Sequence, residues 1–214
     1  MNTLAAEHIR SIVNAHQLGS RRAVVERKDL ICSAVLVPLV YEHEEPDLLL
    51  TQRTDRVETH KGQIAFPGGM VDPGDRDRTH TALREAEEEI GLQPSSVELC
   101  GLLDDFATPT GFVITPVVGL LRERPPLMLN EHEVAEAFYV PLRFFCEPAN
   151  AEREFRTAGG ELREVWIYRY NGRIIWGATA AVIRHLVGLI MKPAPDLPER
   201  SAHPPHTPSD GHTP

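Results

Sequence analysis

The sequence predicts an α/β or α+β sandwich, in which helices cover a mixed β-sheet. Segments with strand character occur before, between and after segments with helical periodicity, the pattern that layered α/β domains produce. The strongest helical segment, 79–90, has β-branched-rich runs on both sides. Apolar residues make up 42% of the 214 residues. This is enough to bury one core, and a single folded domain is expected.

Each element follows from a local pattern. An amphipathic helix is predicted over 3–17 and ends at Gly19. The helix over 79–90 is followed by Gly91, the residue type that C-terminal caps prefer. A helix with an apolar face over 178–191 closes the domain. Strands are predicted at 30–40, 47–53, 97–103, 111–121, 134–140, 164–170 and 173–176.

The composition changes near the C-terminus. Residues 193–214 contain seven of the 18 prolines and one large aliphatic side chain, Leu197. Such a segment buries too little surface to offset its ordering entropy. We therefore predict a single domain over 1–192 and a disordered Pro/His-rich tail over 193–214.

Charge and composition exclude several classes of protein. With 22 Lys and Arg against 31 Asp and Glu, the net charge of -9 argues against a nucleic-acid partner. No apolar run approaches the roughly 20 residues that a membrane span needs, and residues 1–10 lack the apolar core of a signal peptide. A cytoplasmic protein without a membrane partner is expected. Three cysteines without a C-x-x-C pair indicate neither a disulfide framework nor a zinc site. The patterns leave open whether the protein is a monomer or a homodimer.

Four glutamates crowd one helix. Glu85, Glu87, Glu88 and Glu89 lie within five positions and repel one another unless cations join them. At about 100° per residue, Glu85, Glu88 and Glu89 share one sector and Glu87 lies outside it. Three such carboxylates can bind a hard cation such as Mg²⁺ or Mn²⁺, and Arg84 can orient one of them. A solvated acidic face remains the alternative. The face predicted to be buried consists of Thr79, Leu83, Ala86 and Ile90.

Upstream of this helix, a Gly-Gly pair precedes an Asp-rich turn, so that backbone carbonyls can approach a metal closely. With this segment included, the sequence resembles the Nudix hydrolases, whose box reads G-x5-E-x7-R-E-U-x-E-E-x-G-U, with U a bulky aliphatic residue. It differs from the box at Asp75, which replaces the first glutamate, and in the eight residues instead of seven that precede Arg84. The matching positions are Gly69, Arg84, Glu85, Glu88, Glu89, Gly91 and Leu92, with Ala86 at the first U.

The resemblance implies a Nudix-type α/β/α sandwich and a metal-dependent pyrophosphatase. Mg²⁺ or Mn²⁺ would be held by Glu85, Glu88, Glu89 and the Gly69 carbonyl, with Arg84 assisting. Nudix enzymes take their general base either from the box or from a later loop. The candidates here are Glu85 in the box and, in the later loop, Glu131, Glu133 and Glu136.

A second stretch resembles the coenzyme A pyrophosphatase branch of that family. Residues 49–54, LLTQRT, and 60–69, HKGQIAFPGG, match its L-L-T-x-R-S and H-x-G-Q-hydrophobic-x-F-P-G-G signatures, with Thr54 in place of Ser. The resemblance implies hydrolysis of coenzyme A and its derivatives to adenosine 3′,5′-bisphosphate and 4′-phosphopantetheine. Arg53, His60 and Lys61 are the expected phosphate-binding residues.

Three alternatives stay open. The first keeps the chemistry and takes NADH, ADP-ribose or a nucleoside triphosphate as the substrate. The second is a non-catalytic Nudix module that binds a nucleotide. The third is an interaction protein whose acidic helix is a docking face.

Overall fold

A computed structural model describes residues 4–19, 22–55, 61–158 and 161–192. The predicted tail over 193–214 and the predicted site residue His60 lie outside these residues. All seven predicted strands and all three predicted helices are present, with ends displaced by at most three residues. The helices are α1 (Ala6–Leu18), α2 (Arg78–Ile90), α3 (Leu142–Cys146) and α4 (Gly177–Ile190). The strands are β1 (Ile31–Val40), β2 (Asp47–Arg53), β3 (Ile64–Ala65), β4 (Gly68–Met70), β5 (Glu98–Leu102), β6 (Phe106–Ala107), β7 (Phe112–Leu121), β8 (Val134–Pro141), β9 (Ala151–Ala158), β10 (Glu161–Tyr170) and β11 (Arg173–Trp176).

The main sheet is mixed, as predicted. Its order is β3-β2-β1-β7-β5, with β4 paired to β1, β6 to β7 and β8 to β2. Strands β1 and β7 run parallel along their whole length, and the other pairs in this sheet are antiparallel. A separate antiparallel sheet has the order β11-β10-β9. The predicted α/β fold class is confirmed.

Helices cover both faces of the main sheet. Because successive side chains of a strand point to opposite faces, β1 contributes Val37 and Leu39 to one apolar cluster, and Ala34 and Leu36 to another. The first cluster contains side chains of α1 and α4, whereas the second contains the buried face of α2. The described residues therefore form three layers, in which α2 lies on one side of the sheet and α1 and α4 lie on the other.

Helix α1 packs on its own domain. Ile9 and Val13 are fully buried, and the Tyr41 hydroxyl donates a hydrogen bond to the Leu4 carbonyl at 2.8 Å. Arg10 pairs with Glu98 of β5 at 2.7 Å. The apolar side of this helix is thus covered within one chain.

The sheet is split near its centre. Strands β1 and β2 pair only at Leu39 with Leu48 and at Val40 with Asp47. Beyond this point the chain over 64–70 fills the gap, since β3 pairs with β2 and β4 pairs with β1. The N–H of Leu36 donates to the Pro67 carbonyl at 2.9 Å, which holds the segment in place. The split brings the Gly-Gly pair against α2.

Helix α2 has well-formed ends but buries a different face from the one predicted. The Asp77 carboxylate accepts from the N–H of His80 at 2.8 Å, and Gly91 has a left-handed φ of 69°. Of the predicted face, Ala86 and Ile90 are buried, but Thr79 and Leu83 are only partly covered. The buried side is rotated so that it contains Thr81, Ala82, Ala86, Glu89 and Ile90.

Candidate active site

Gly69 and Glu85 face each other at close range. A Cβ atom at residue 69 would lie 2.4 Å from the carboxyl carbon of Glu85 and 2.5 Å from both of its oxygens. Only glycine leaves this space open. Burial raises the pKa of the Glu85 carboxyl, although Arg84 beside it acts in the opposite direction. The backbone at Gly69 and this carboxylate are therefore in close contact.

Glu89 is the most buried of the four helix glutamates. It is 3% exposed, and its Oε2 accepts a hydrogen bond from the N–H of Gly68 at 3.1 Å. Its Oε1 lies 3.5 Å from the guanidinium of Arg53 at the end of β2. Burial raises the pKa of Glu89 to about 8, against the opposing effects of Gly68 and Arg53. The sequence predicted that Glu89 lies in the acidic sector of the helix. The structure shows in addition that its side chain is buried away from water.

Arg84 connects the remaining carboxylates. One terminal nitrogen lies 2.9 Å from Glu85 and 3.0 Å from Glu88. Glu88 is exposed, and so is Glu87, which lies outside the sector as predicted. The predicted orienting contact of Arg84 is therefore present, and it involves two glutamates.

Asp75 is a buried anchor for Arg84. Its side chain is 1% exposed and accepts two hydrogen bonds from the guanidinium, both at 3.0 Å. The Thr81 hydroxyl and the N–H of Asp72 also donate to it at 2.9 Å, and the His80 ring lies at the same distance. Arg84, followed by these other donors, holds the pKa of Asp75 well below its usual range. The longer, aspartate-containing loop still reaches the arginine.

Two of the three predicted phosphate-binding residues, Arg53 and Lys61, lie within the described part of the chain. Arg53 contacts Glu89, and its buried Nε makes no hydrogen bond with any residue that the structure describes. The N–H of Arg53 donates to the Gln63 carbonyl at 2.9 Å, which joins it to the chain over 61–64. Beside this chain is a cleft of about 490 Å³. It is lined by Gln52, Lys61, Gly62, Gln63, Ile64, Gly172, Arg173, Ile174 and Trp176.

The three later candidates for the general base have different surroundings. Glu133 is linked to α2 through Asn130, whose N–H donates to the Glu89 carbonyl at 2.9 Å and whose Nδ2 donates to the Glu133 carboxylate at 3.2 Å. Glu136 forms an ion pair with Arg173 at 2.5 Å. Glu131 is exposed. The structure thus links one member of the later group to α2.

This donor set fits a divalent cation. Two carboxyl groups with raised pKa values lie beside backbone that only a glycine allows to come so close. Carboxylate and carbonyl oxygens are the ligands that Mg²⁺ and Mn²⁺ prefer. Burial, with a smaller contribution from the neighbouring glutamates, disfavours the charged forms of Glu85 and Glu89, and a bound cation would offset both effects.

Comparison with known proteins agrees with this geometry. The family model of the NUDIX domain matches residues 31–168. The chain belongs to the Nudix family. It is 43% identical over 157 residues to the uncharacterized Nudix hydrolase NudL of Yersinia enterocolitica, covering 72% of this chain and 78% of that protein. The protein of the same name from Escherichia coli is 38% identical over 178 residues, which are 83% and 87% of the two chains.

Solved structures show a weaker similarity. The crystal structure of DR0079 from Deinococcus radiodurans aligns with a TM-score of 0.47 at 16% identity, covering 77% of this chain and 87% of that chain. The prediction of a Nudix enzyme is confirmed by the family match and the NudL relatives. Nudix hydrolases generally use divalent metal ions. Across the described ranges, no helix has the length and apolar character needed to cross a membrane.

Proposed function

We propose that this Nudix enzyme hydrolyses the pyrophosphate linkage of coenzyme A and its derivatives, with Mg²⁺ or Mn²⁺ as the cofactor. The products would be adenosine 3′,5′-bisphosphate and 4′-phosphopantetheine. The observation that carries the metal chemistry is the direct approach of Gly69 to the Glu85 carboxylate, next to the desolvated Glu89. The choice of coenzyme A is supported by the motifs at 49–54 and 60–69. We further propose that residues 1–192 form the catalytic domain and that the protein acts in the cytoplasm.

Glu85, Glu88, Glu89 and the Gly69 carbonyl would hold the metal. When bound, a divalent cation stabilises charge on the phosphoryl oxygens and lowers the pKa of an attacking water. Arg84 keeps Glu85 and Glu88 in place, because Asp75 fixes its guanidinium by two hydrogen bonds. Asp75 would thus keep Arg84 in position whether or not the glutamates hold a cation.

The basic residues near the cleft support an anionic substrate. Lys61 and Arg173 line the cleft, and Arg53 reaches the carboxylates from the same strand end. The chain carries a net charge of -9 and as a whole repels anions. A substrate with a pyrophosphate and a further phosphate therefore needs local positive charge beside each of these groups. The cleft also contains the aromatic surface of Trp176, on which a nucleobase can pack. His60, which would join this group, lies outside the described residues.

Glu133 is our candidate among the later glutamates for the general base, beside Glu85 in the box. Asn130 joins its carboxylate to the Glu89 backbone of α2, whereas Glu136 is paired with Arg173. Glu133→Gln should lower kcat by about 100-fold or more with little change in KM. Glu131→Gln is the matched control, and equal activity of both variants would leave Glu85 as the base.

The function is tested by mass-spectrometric product analysis. Coenzyme A, NADH, ADP-ribose and nucleoside triphosphates are each incubated with Mg²⁺ or Mn²⁺. We expect fastest cleavage of coenzyme A and at least about a 100-fold loss of turnover in Glu89→Gln. Lys61→Ala should raise KM for coenzyme A. Lys28→Ala is the control, because Lys28 is exposed and is not among the residues that line the cleft, and it should not raise KM.

Each other result has a separate meaning. Faster cleavage of another substrate would overturn the coenzyme A assignment and keep the metal chemistry. If no substrate is hydrolysed, a non-catalytic nucleotide-binding module becomes the better description. Wild-type turnover in Glu89→Gln at saturating metal would contradict the proposed role of the helix.

A further inference from the structure

Three metal-ligating side chains meet where α1, α4 and the β5–β6 connection come together. His16 of α1 is 8% exposed, and its Nε2 lies 2.8 Å from Oδ1 of Asp104. His185 of α4 directs its own Nε2 at Oδ2 of the same carboxylate, 3.5 Å away. The two rings are 5.4 Å apart. All three ligand atoms lie within 4.8 Å of one another.

One nitrogen of the His185 ring is buried beside Asp104. This buried Nε2 makes no hydrogen bond with any part of the chain that the structure covers. A buried nitrogen that faces a carboxylate but makes no hydrogen bond has lost its hydrogen bonds to water and gained none in the protein, which costs free energy. A ligand that both groups share would remove this cost.

We propose that His16, Asp104 and His185 bind a transition-metal cation of the Zn²⁺ class, at a site separate from the carboxylates of α2. Two imidazoles and one carboxylate suit Zn²⁺, Ni²⁺ or Co²⁺, whereas Mg²⁺ prefers oxygen ligands alone. Ligand bonds of about 2.0–2.2 Å in a tetrahedral arrangement put neighbouring ligand atoms about 3.4 Å apart. The distance from His16 Nε2 to Oδ1 of Asp104 is 2.8 Å, and the distance from His185 Nε2 to Oδ2 is 3.5 Å, so the two lie on either side of this value.

The cation would replace the proton in the hydrogen bond between His16 and Asp104 and would join the first helix to the last. Asp104 and His185 are each about one-third exposed, which leaves a fourth position open to water. This inference goes beyond the proposed hydrolysis and does not depend on it. The site would stabilise the packing of α1 on α4.

The test is a Co²⁺ titration of the full chain in saturating Mg²⁺, which occupies the oxygen-ligand site. The wild type should bind one equivalent of Co²⁺ with the visible absorption of a nitrogen-ligated tetrahedral ion. His185→Asn and Asp104→Asn should each weaken this binding at least about tenfold. His43→Asn, on an exposed histidine outside the cluster, should bind like the wild type. A variant with His203, His206 and His212 replaced by asparagine should also bind like the wild type.

Unchanged Co²⁺ binding in His185→Asn and Asp104→Asn would overturn the proposal, and so would loss of binding only in the variant of the three C-terminal histidines. A second measurement does not depend on whether the cluster variants fold. X-ray absorption of the C-terminal histidine variant with one equivalent of Zn²⁺ and excess Mg²⁺ should show two imidazole ligands. A first shell of oxygens alone would refute the site.

Discussion

Glu89 is a buried carboxylate whose charge the fold tolerates poorly, so Glu89→Gln should stabilise the metal-free protein while it removes activity. The side chain is 3% exposed, and its partners are the N–H of Gly68 at 3.1 Å and Arg53 at 3.5 Å. Burial outweighs both contacts and raises the pKa of Glu89 to about 8. At neutral pH the folded protein therefore holds a proton that the unfolded chain releases.

The size of the effect follows from this pKa. Between the ordinary value of 4.5 and about 8, the native state binds more protons than the unfolded state, so stability falls as the pH rises through this window. At about 1.4 kcal/mol for each tenfold change in proton affinity, the cost at pH 7 is roughly 3 kcal/mol. Glutamine carries no charge but needs partners for its amide. We expect Glu89→Gln to raise the free energy of unfolding by about 2–3 kcal/mol at pH 7.

Urea unfolding in EDTA, from about pH 5 to about pH 9, measures this difference. The wild type should lose stability across the window much more steeply than Glu89→Gln, in which only the raised pKa of Glu85 still acts in this direction. Glu88→Gln is the matched control, because the Glu88 side chain is 58% exposed and its variant should follow the wild type. Adding Mg²⁺ should stabilise the wild type more than Glu89→Gln. Wild-type stability that stays constant between pH 5 and pH 8, or a Glu89→Gln protein less stable than wild type at pH 8, would refute the reasoning.

Two further substitutions test the geometry around α2. Gly69→Ala puts a carbon 2.4 Å from the Glu85 carboxyl group, and should lower turnover about 10- to 100-fold and weaken Mg²⁺ binding in a metal titration. Gly74→Ala, where a Cβ meets no atom within 4 Å, should change neither, and equal behaviour of the two variants would contradict the close approach. Asp75→Asn leaves Arg84 without its buried anion and should lower the free energy of unfolding at pH 7 by about 2–4 kcal/mol in urea. Because the pKa of Asp75 is depressed, the wild-type advantage should shrink as the pH falls below 3.8, and a constant advantage down to about pH 2 would exclude the ion pair.

Local patterns predicted the elements because each carries its own signal. The run of β-branched residues in β1 and the glycine after α2 depend only on neighbouring residues. Grouping Glu85 with Glu89 and separating Glu87 followed from helical angles alone. The identity of Arg84 as the residue that joins the carboxylates also follows from its position in the same helix.

What the sequence did not predict depends on long-range packing. The buried face of α2 differs from the predicted one, because a helical wheel does not show which strands pack against the helix. The short strands β3 and β4 have too few residues for a period to appear. Strand β9 was missed because its sequence, AEREFRTA, is polar and charged. The pairing of His16 with Asp104 spans 88 residues, and no local pattern indicates it.

The departure of the box at Asp75 is explained by the contacts of Arg84. Aspartate is one methylene shorter than glutamate, and the loop that carries it is one residue longer before Arg84. Both changes affect the distance between the Asp75 carboxylate and the Arg84 guanidinium. The carboxylate still accepts two hydrogen bonds from the guanidinium, both at 3.0 Å. Asp75 is buried and also contacts Thr81 and His80. The ion pair of Asp75 with Arg84 therefore holds the guanidinium that contacts Glu85 and Glu88. A longer loop with a shorter acid therefore preserves the arrangement, and the helix carboxylates keep their register.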